Sequence, residues 1–212
     1  MSRDITVREL APADLSAAIG IVARGMRDNP IHVCALGPDP EVRSARLSRL
    51  FALAFPILFA NGIVLGAFDG ATLVGVAGMV PPGRCRLSVR DRLMLLPRML
   101  QAIGFAAFRR VGRWLGAWGR QDIAEPHWHL GPVAVDRHLQ GGGIGTVLMS
   151  EYCARLDSDD AVGYLETDKP QNVTFYQKFG FQTIAGAQIL DTPNWFMRRP
   201  AGSTTRSTIR KL

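Results

Sequence analysis

Hydrophobic and polar positions alternate with two different periods along this chain. In the first eighty residues, period-two alternation and short apolar runs predict strands at 5–10, 63–68 and 72–79. Helical spacing of apolar positions predicts helices at 12–27 and 40–59. Asp69-Gly70 between the second and third strands is a strong hairpin signal, and Asn29-Pro30 is expected to stop the first helix.

One stretch of the chain requires a test for a membrane span. Residues 50–68 carry no charge, and their number is close to the ~20 apolar residues that cross a bilayer. However, Pro56 and Asn61-Gly62 interrupt the stretch, and its second half is rich in β-branched residues. We therefore predict a helix end, a turn and a buried strand.

The second half of the chain alternates strands with helices more regularly. The pattern predicts strands at 127–135, 162–167, from 181 onward and at 194–198, and helices at 146–156 and 171–179. Gly180 is placed to cap the last of these helices. Together the two halves predict an α/β (α+β) sheet that helices cover on its faces.

Residues 84–120 differ in kind, because they hold nine arginines against one acidic residue, Asp91. Leucines and methionines recur at helical spacing, and Trp114 and Trp118 lie four residues apart. This predicts a helical insertion of one or two basic amphipathic helices, kinked or started at Pro97. Such helices pack on the body, form a lid over a substrate site, or touch a membrane surface.

Composition narrows the class of protein. The chain has 212 residues, 47% hydrophobic and 20% charged, and a net charge of +7, which excludes collagen, coiled coils and disordered chains. We expect a single domain over 1–200 and a disordered basic tail over 201–212. The basic regions are solvated faces or attract an anionic partner, a phosphate or a membrane surface.

The cysteines and the start of the chain bear on location. Cys34, Cys85 and Cys153 are few and far apart, so we expect reduced core thiols rather than a disulfide framework. The first residues lack the apolar segment of a signal peptide. These features predict a cytoplasmic protein.

The most informative motif is a glycine-rich loop at 139–146, which follows a predicted strand and opens a helix. Glycine lets the backbone approach a ligand closely, and the free amides of a first helical turn favour an anion. No Gly-Lys-Ser/Thr follows, and the dinucleotide pattern G-x-G-x-x-G does not fit. The loop does fit Gln-x-x-Gly-x-Gly, with Gln140, Gly143 and Gly145.

With that loop, four motifs in order resemble the GNAT superfamily of N-acetyltransferases. They are Leu130-Gly131-Pro132-Val133-Ala134-Val135-Asp136, the glycine loop, Tyr164-Leu165-Glu166-Thr167, and Asn172-Val173-Thr174-Phe175-Tyr176 with Phe179-Gly180-Phe181. Within the superfamily, this run and Trp195-Phe196-Met197 are similar to the puromycin N-acetyltransferase type. The close resemblance covers 127–199.

The resemblance implies a GNAT fold, with a central mixed, mostly antiparallel sheet, and acetyl-CoA as co-substrate. The backbone of Val133, Ala134 and Val135 would pair with the pantetheine arm, which Asn172 would also contact. The pyrophosphate would lie on the amides of Gln140, Gly141, Gly142, Gly143, Ile144, Gly145 and Thr146. Arg137, or an arginine of 84–120, is a candidate for the 3′-phosphate of CoA.

The resemblance also makes Tyr176 the general acid that protonates the departing thiolate. Asn172 and Tyr176 lie four residues apart on one helix and therefore share a face. The ordinary pKa values, about 10 for tyrosine and about 8.5 for a thiol, make this transfer uphill by only ~2 kcal/mol.

The general base has two candidates, Glu166 first and His129 second, and water alone is a third option. His127 and His129 could suggest a metal, but no third ligand lies nearby in sequence, so we expect a satisfied histidine pair and no metal. A strand amide near Val133 could stabilise the oxyanion. Cys153 is expected to pack within a helix, which argues against an acetyl-cysteine route.

These expectations predict an N-acetyltransferase that moves acetyl from acetyl-CoA to a primary amine of a small molecule by direct attack in a ternary complex. Two alternatives stay open: acetylation of a peptide N-terminus or lysine, and a catalytically silent CoA-binding module. We expect no nucleic-acid partner, and a monomer or homodimer. We do not favour membrane contact through 84–120.

Overall fold

The described residues, 4–85 and 88–203 of this computed structural model, form seven strands and seven α-helices. The strands are β1 (Ile5–Glu9), β2 (Ile63–Asp69), β3 (Thr72–Val80), β4 (Trp128–Val135), β5 (Gly163–Thr167), β6 (Gln182–Ile189) and β7 (Thr192–Arg199). The helices are α1 (Leu15–Gly25), α2 (Pro30–Leu36), α3 (Pro40–Asn61), α4 (Val89–Ile103), α5 (Phe105–Gln121), α6 (Ile144–Ser158) and α7 (Pro170–Gln177).

All seven strands of the described chain join one sheet in the order β1-β2-β3-β4-β5-β7-β6. Every neighbouring pair is antiparallel except β4 and β5, which run parallel at the centre. This is the mixed, mostly antiparallel sheet that was expected. The hairpin at Asp69-Gly70 connects β2 and β3 as the sequence predicted, with Gly70 at φ 60°.

Helices cover both faces of the sheet. Helices α6 and α7 pack on one face, while α1 and α3 pack on the other, and α2 and α5 cover the half that contains β5, β6 and β7. Strand β5 shows how the pleat divides these layers. Leu165 packs with α6, whereas Tyr164 joins the cluster of α2 and α5, so Glu166 points to the same side as Tyr164.

The sequence prediction missed helix α2. Asn29-Pro30 stops α1 as expected, but Pro30 is also the first residue of α2, a position where its missing N–H costs nothing. Of the two alternatives predicted at Pro97, a helix start is wrong, since α4 begins at Val89, continues through Pro97 and ends at Ile103. Gly104, at φ 76°, separates α4 from α5.

Other expectations can be compared directly. Residues 50–68 form a helix end, a turn and β2 as predicted, and none of the described helices combines the length and the apolar character that a membrane span requires.

All three cysteines are free, but Cys34 is exposed and Cys85 is only partly buried, so only Cys153 is a core thiol. Most of the predicted disordered tail, 204–212, lies outside the described residues.

A buried arginine fixes the connection between α1 and α2. The Arg43 side chain on α3 is 5% exposed, and its guanidinium donates to the carbonyls of Arg27 (2.6 Å), Gly37 (2.8 Å) and Pro38 (2.9 Å). It also pairs with Asp28 at 2.8 Å. Since charge-assisted hydrogen bonds to several acceptors hold one geometry, Arg43 positions the short segment that precedes α2.

We predict that Arg43→Met lowers the free energy of unfolding by about 2–4 kcal/mol, because it removes the buried donor of three part-buried backbone carbonyls and of Asp28. Urea denaturation followed by circular dichroism measures the loss. Arg49→Met is the matched control on the same helix, since exposed Arg49 donates only to the Ala102 carbonyl at 3.3 Å, and it should cost under about 1 kcal/mol. Equal losses in the two variants would contradict the assignment.

Candidate active site

The site begins where β4 and β5 separate. The two strands pair at only two positions, Trp128 with Gly163 and His129 with Tyr164, while β4 continues along β3 as far as Val135. Within the described strands, the β5-facing edge of β4 is therefore unpaired beyond His129. An unpaired strand edge presents backbone N–H and C=O groups to any extended ligand.

The glycine loop lies at the end of this open edge. Gly141 and Gly143 have φ values of 82° and 84°, and an ideal Cβ on either would meet no atom within 4 Å. Here glycine meets a backbone requirement, and the space above the loop is open. Helix α6 starts at Ile144, so the amides of Ile144 and Gly145 precede the first intrahelical acceptor.

Three other amides of the predicted cradle have backbone acceptors: Gln140 donates to Arg137, Gly142 to Leu139 and Thr146 to Gly143. The loop thus offers fewer free donors than the sequence predicted, and the anion cradle stays a prediction that rests on Gly141, Gly143, Ile144 and Gly145.

A cavity of about 450 Å³, which we call the cradle cavity, joins the open edge of β4 to the loop and α7. Its lining includes every predicted cofactor-binding residue except Gly142: Val133, Ala134, Val135, Gln140, Gly141, Gly143, Ile144, Gly145, Thr146 and Asn172. Thus the fold brings together residues from two distant motifs, and Gly142 belongs to the loop without facing this space.

Some residues of the cradle cavity were not foreseen. Gly25, Met26 and Asn29 line it from the end of α1, and Lys169 and Lys178 add two cations from either end of α7. By contrast, Arg137, the candidate for a phosphate contact, is paired with Asp28 at 2.8 Å and does not line the cavity. Nothing in the sequence linked α1 to the loop, because that proximity arises from packing across the sheet.

Gln140 holds the loop in place. Its side-chain amide donates to the carbonyls of Gly25 (3.0 Å) and Val135 (3.1 Å). One side chain thus ties the loop to both α1 and the end of β4. The glutamine side chain of the motif has a structural role here.

A second cavity of about 290 Å³, the Glu166 cavity, shares five residues with the cradle cavity: Met26, Asn29, Val133, Asn172 and Tyr176. Tyr176 therefore stands between the two spaces. Burial, and secondarily the negative charge of Asp168, raises the pKa of its phenol above the ordinary value, so the group is protonated at neutral pH. Asn172 is oriented by its donation to Oγ1 of Thr167 at 3.1 Å.

The two candidate bases are hydrogen-bonded to each other. Glu166 on β5 is 4% exposed, and its Oε2 lies 2.9 Å from Nε2 of His129 on β4. Burial opposes the charge on His129, but Glu166 and Cys85 outweigh it and raise the pKa of the imidazole to about 10. Glu166 and His129 therefore form an ion pair at neutral pH, and they act as one unit rather than as alternatives.

Cys85 lies beside this pair, and sequence reasoning did not connect them. Burial raises the pKa of its thiol, but hydrogen bonds to His127 and His129 lower it further, to about 7. The thiol comes from the connection between β3 and α4, far from the histidines in sequence. Only the antiparallel pairing of β3 with β4 places it next to them.

Aromatic side chains of α2 and α5 form the other wall of the Glu166 cavity. His32, Trp114 and Trp118 line it together, with the two indole rings edge to face at 5.1 Å. The Trp118 Nε1 donates to Oδ1 of Asn194 at 2.9 Å, which fixes α5 against β7. The basic helical segment therefore covers a site, one of the readings that its sequence left open.

Buried groups at the floor of this cavity have assigned partners. The Asp168 Oδ2 accepts from the Ile31 amide at 2.7 Å, so this carboxylate holds the first turn of α2. Burial lowers the pKa of His32, whose Nδ1 lies 2.7 Å from the Met26 carbonyl. His32 is thus a neutral imidazole that donates to that carbonyl. Glu166 and Asp168 both line the cavity, Glu166 beside His129 and Asp168 at the first turn of α2.

Comparison with known families identifies this arrangement. The sequence profile of the acetyltransferase (GNAT) family matches residues 38–181, more than half of the chain. The chain belongs to the GNAT acetyltransferase family. It is accordingly an acetyl-CoA-dependent N-acetyltransferase, and acetyl-CoA is its co-substrate.

Solved structures agree with this GNAT fold. A Corynebacterium glutamicum protein described as histone acetyltransferase HPA2 and related acetyltransferase is 26% identical, covers 97% of this chain and 99% of its own, and has a TM-score of 0.74. Two more distant structures show the fold alone. Drosophila melanogaster polyamine N-acetyltransferase is 14% identical, with 92% and 99% covered and a TM-score of 0.63. A Brucella melitensis GNAT acetyltransferase in complex with acetyl-CoA is 17% identical, with 93% and 88% covered and a TM-score of 0.51.

The described residues of this GNAT enzyme fit the co-substrate. An open strand edge suits an amide-containing arm, free amides at a helix start suit a pyrophosphate, and Lys169 and Lys178 supply positive charge at the same cavity. The assignment of individual residues to parts of CoA remains a prediction.

We predict that Gly143→Ala raises the Kd of CoA at least tenfold, because a methyl group at φ 84° distorts the loop whose free amides would face the phosphates. Isothermal titration calorimetry measures the change. Gly104→Ala is the control for strain alone, since Gly104 also has a positive φ and open space but lies between α4 and α5. Gly143→Ala should lose about 1–2 kcal/mol of stability, and Gly104→Ala at least as much, because its ψ of 161° is in a region that only glycine readily adopts. Equal CoA affinity in the two variants would refute the cradle.

Proposed function

We propose that this GNAT enzyme acetylates the primary amine of a small molecule that carries an apolar body, by direct attack in a ternary complex. The observation that carries the proposal is the meeting of two cavities at Tyr176. One has the features of a CoA site, and the other combines the carboxylates of Glu166 and Asp168 with aromatic walls.

In this proposal, Tyr176 is the general acid. When bound, acetyl-CoA supplies an acetyl thioester, and the thiolate that departs needs a proton. Tyr176 lines both cavities, so its phenol is placed to donate at the boundary between co-substrate and acceptor. The burial that raises its pKa keeps that proton in place until charge develops on sulfur.

In this proposal, Glu166 and His129 bind and deprotonate the acceptor amine. The Glu166 carboxylate attracts the cationic acceptor into the cavity and accepts the proton that the amine must lose, directly or through one water. His129 orients that carboxylate through the 2.9 Å hydrogen bond. His129 is thereby a positioning residue, and Glu166 is the catalytic one.

An apolar cavity next to the Glu166 cavity is the reason for proposing an acceptor with an apolar body. A third cavity of about 290 Å³, the apolar cavity, lies between α3, α4 and α5 and shares His32, Phe51, Trp114 and Leu115 with the Glu166 cavity. Leucines, isoleucine and methionine complete its lining. Burying an apolar group there is worth about 25 cal/mol per Å², whereas a second cationic amine would have no carboxylate facing it within that lining.

Acetylation of a peptide N-terminus or lysine is the second candidate. It draws on the Corynebacterium glutamicum relative, which is described as a histone acetyltransferase. The enclosing helices α2 and α5 favour a small acceptor, because an extended peptide needs an open groove. The silent CoA-binding module that the sequence left open does not agree with an acetyl-CoA-dependent N-acetyltransferase and is not proposed.

Finer assignments also belong to this proposal. The similarity of Tyr164-Leu165-Glu166-Thr167 and Trp195-Phe196-Met197 to the puromycin N-acetyltransferase type is compatible with an acceptor that has an aromatic part. A cytoplasmic location suits three free cysteines. A monomer or homodimer is the expected state of assembly.

We predict that Tyr176→Phe lowers kcat by about 10²-fold or more while the Kd of CoA changes less than about threefold, because only proton donation is lost. Release of free CoA thiol during turnover measures the rate. Tyr152→Phe is the matched control, since that hydroxyl donates to the Trp128 carbonyl inside the core. An unchanged kcat in Tyr176→Phe would remove tyrosine as the acid.

We predict that phenethylamine and longer arylalkylamines give kcat/KM values at least about tenfold above spermidine or a lysine peptide. Leu115→Ser should reduce this preference about three- to tenfold, because Leu115 lines both acceptor cavities and is 46% exposed. Leu93→Ser is the control, an exposed leucine of α4 that lines none of the three cavities. A higher kcat/KM for the peptide would favour the second candidate.

A further inference from the structure

Cys85, His127 and His129 form a cluster beside the acceptor site. One ligand atom from each residue lies within 4.8 Å of the others. His127 immediately precedes β4 and His129 lies on it, and their ring centroids are 5.9 Å apart. The thiol arrives from the connection between β3 and α4. A thiol and two imidazoles thus converge from two separate parts of the chain.

This donor set has the chemistry of a zinc site. Thiolate and imidazole are the preferred ligands of Zn²⁺, with Zn–S near 2.3 Å and Zn–N near 2.0–2.1 Å. Tetrahedral ligands at those lengths lie roughly 3.5 Å apart, so the observed cluster needs a contraction of only about 1 Å. The cluster also lacks the oxygen ligands that Mg²⁺ and Ca²⁺ require.

The surroundings of both rings match those of metal-bound histidines. Nδ1 of His127 lies 2.7 Å from the Glu125 carbonyl, and Nε2 of His129 lies 2.9 Å from Oε2 of Glu166. Histidine ligands usually donate their second N–H to a carbonyl or carboxylate in this way. In each ring one nitrogen is held by an oxygen of the protein, and a metal bound by the other would replace the hydrogen bond between that ring and Cys85.

Charge nearby favours a cation as well. Oδ1 of Asp122 lies 3.2 Å from Nε2 of His127, the ring nitrogen that does not contact the Glu125 carbonyl. His127 is 6% exposed, so an ion here would be largely shielded from water. A carboxylate at this distance offsets the cost of placing a dication among partly buried groups.

We propose that Cys85, His127 and His129 bind one Zn²⁺ through the thiolate and two imidazole nitrogens. The ion would join the segment after β3 to β4 at the rim of the Glu166 cavity. The sequence contained the histidine pair, but Cys85 is the third ligand that was missing from it. This site concerns metal binding only and does not rest on the proposed function.

The test uses the full chain after dialysis against a chelator. Titration with Zn²⁺ against a chromogenic chelator should give one ion per chain and a raised Tm. Co²⁺ should produce the visible bands of tetrahedral coordination and a thiolate-to-cobalt charge-transfer band in the near ultraviolet. Neither readout depends on acetyl transfer, so their failure would leave the acetyltransferase proposal intact.

Variants make the assignment specific. Cys85→Ser should weaken Zn²⁺ binding at least about 100-fold and abolish the charge-transfer band, and His127→Asn should weaken binding similarly. Cys34→Ser is the control, because Cys34 is exposed and contacts Thr192 instead. Circular dichroism checks that each variant folds. Binding that survives Cys85→Ser, or a band that disappears in Cys34→Ser, would overturn the proposal.

Discussion

Strands β4 and β5 run parallel yet pair at only two positions, and the rest of the site depends on that separation. Buried backbone groups need hydrogen-bond partners, so β4 can leave β5 only because its other edge is held by β3 as far as Val135. The open edge leads directly into the glycine loop and the first turn of α6. A strand edge and a helix start, both with unpaired backbone donors, are thereby placed end to end.

The pleat of β5 places its successive side chains on opposite faces of the sheet. Leu165 packs against the helices behind the loop, whereas Glu166 on the next position points toward α2 and α5. The glycine loop and the acidic group therefore lie on opposite sides of the sheet, and they meet only where the strands separate. Tyr176 stands at that opening because α7 follows β5 after a short turn. One split in the sheet thus explains why both cavities share the same few residues.

Sequence patterns predicted the parts of this protein that are encoded locally. The glycine loop, the hairpin at Asp69-Gly70 and the strands around Glu166 each carry their own signal within a few residues. Helix α2 was missed because Asn29-Pro30 ends one helix and begins the next, and a proline gives the same signal for both. The Glu166–His129 pair, the contact of Cys85 with the histidines and the role of Gln140 depend on strand register. No local pattern contains register, so these could not be predicted.

The same distinction explains why the family was easier to recognise than the acceptor. The motifs of β4, the loop, β5 and α7 supply the co-substrate side, and they are short and contiguous. The acceptor side is assembled from Phe51 on α3, His32 on α2 and Trp114 and Leu115 on α5, whose spacing in sequence carries no common signal. Because the two sides share only the few residues between them, substitutions in α2, α3 or α5 can alter the acceptor cavity while the loop and Tyr176 keep their geometry. Under the proposed assignment, acceptor preference depends on helix packing, and the position of the proposed acid Tyr176 depends on the divided sheet.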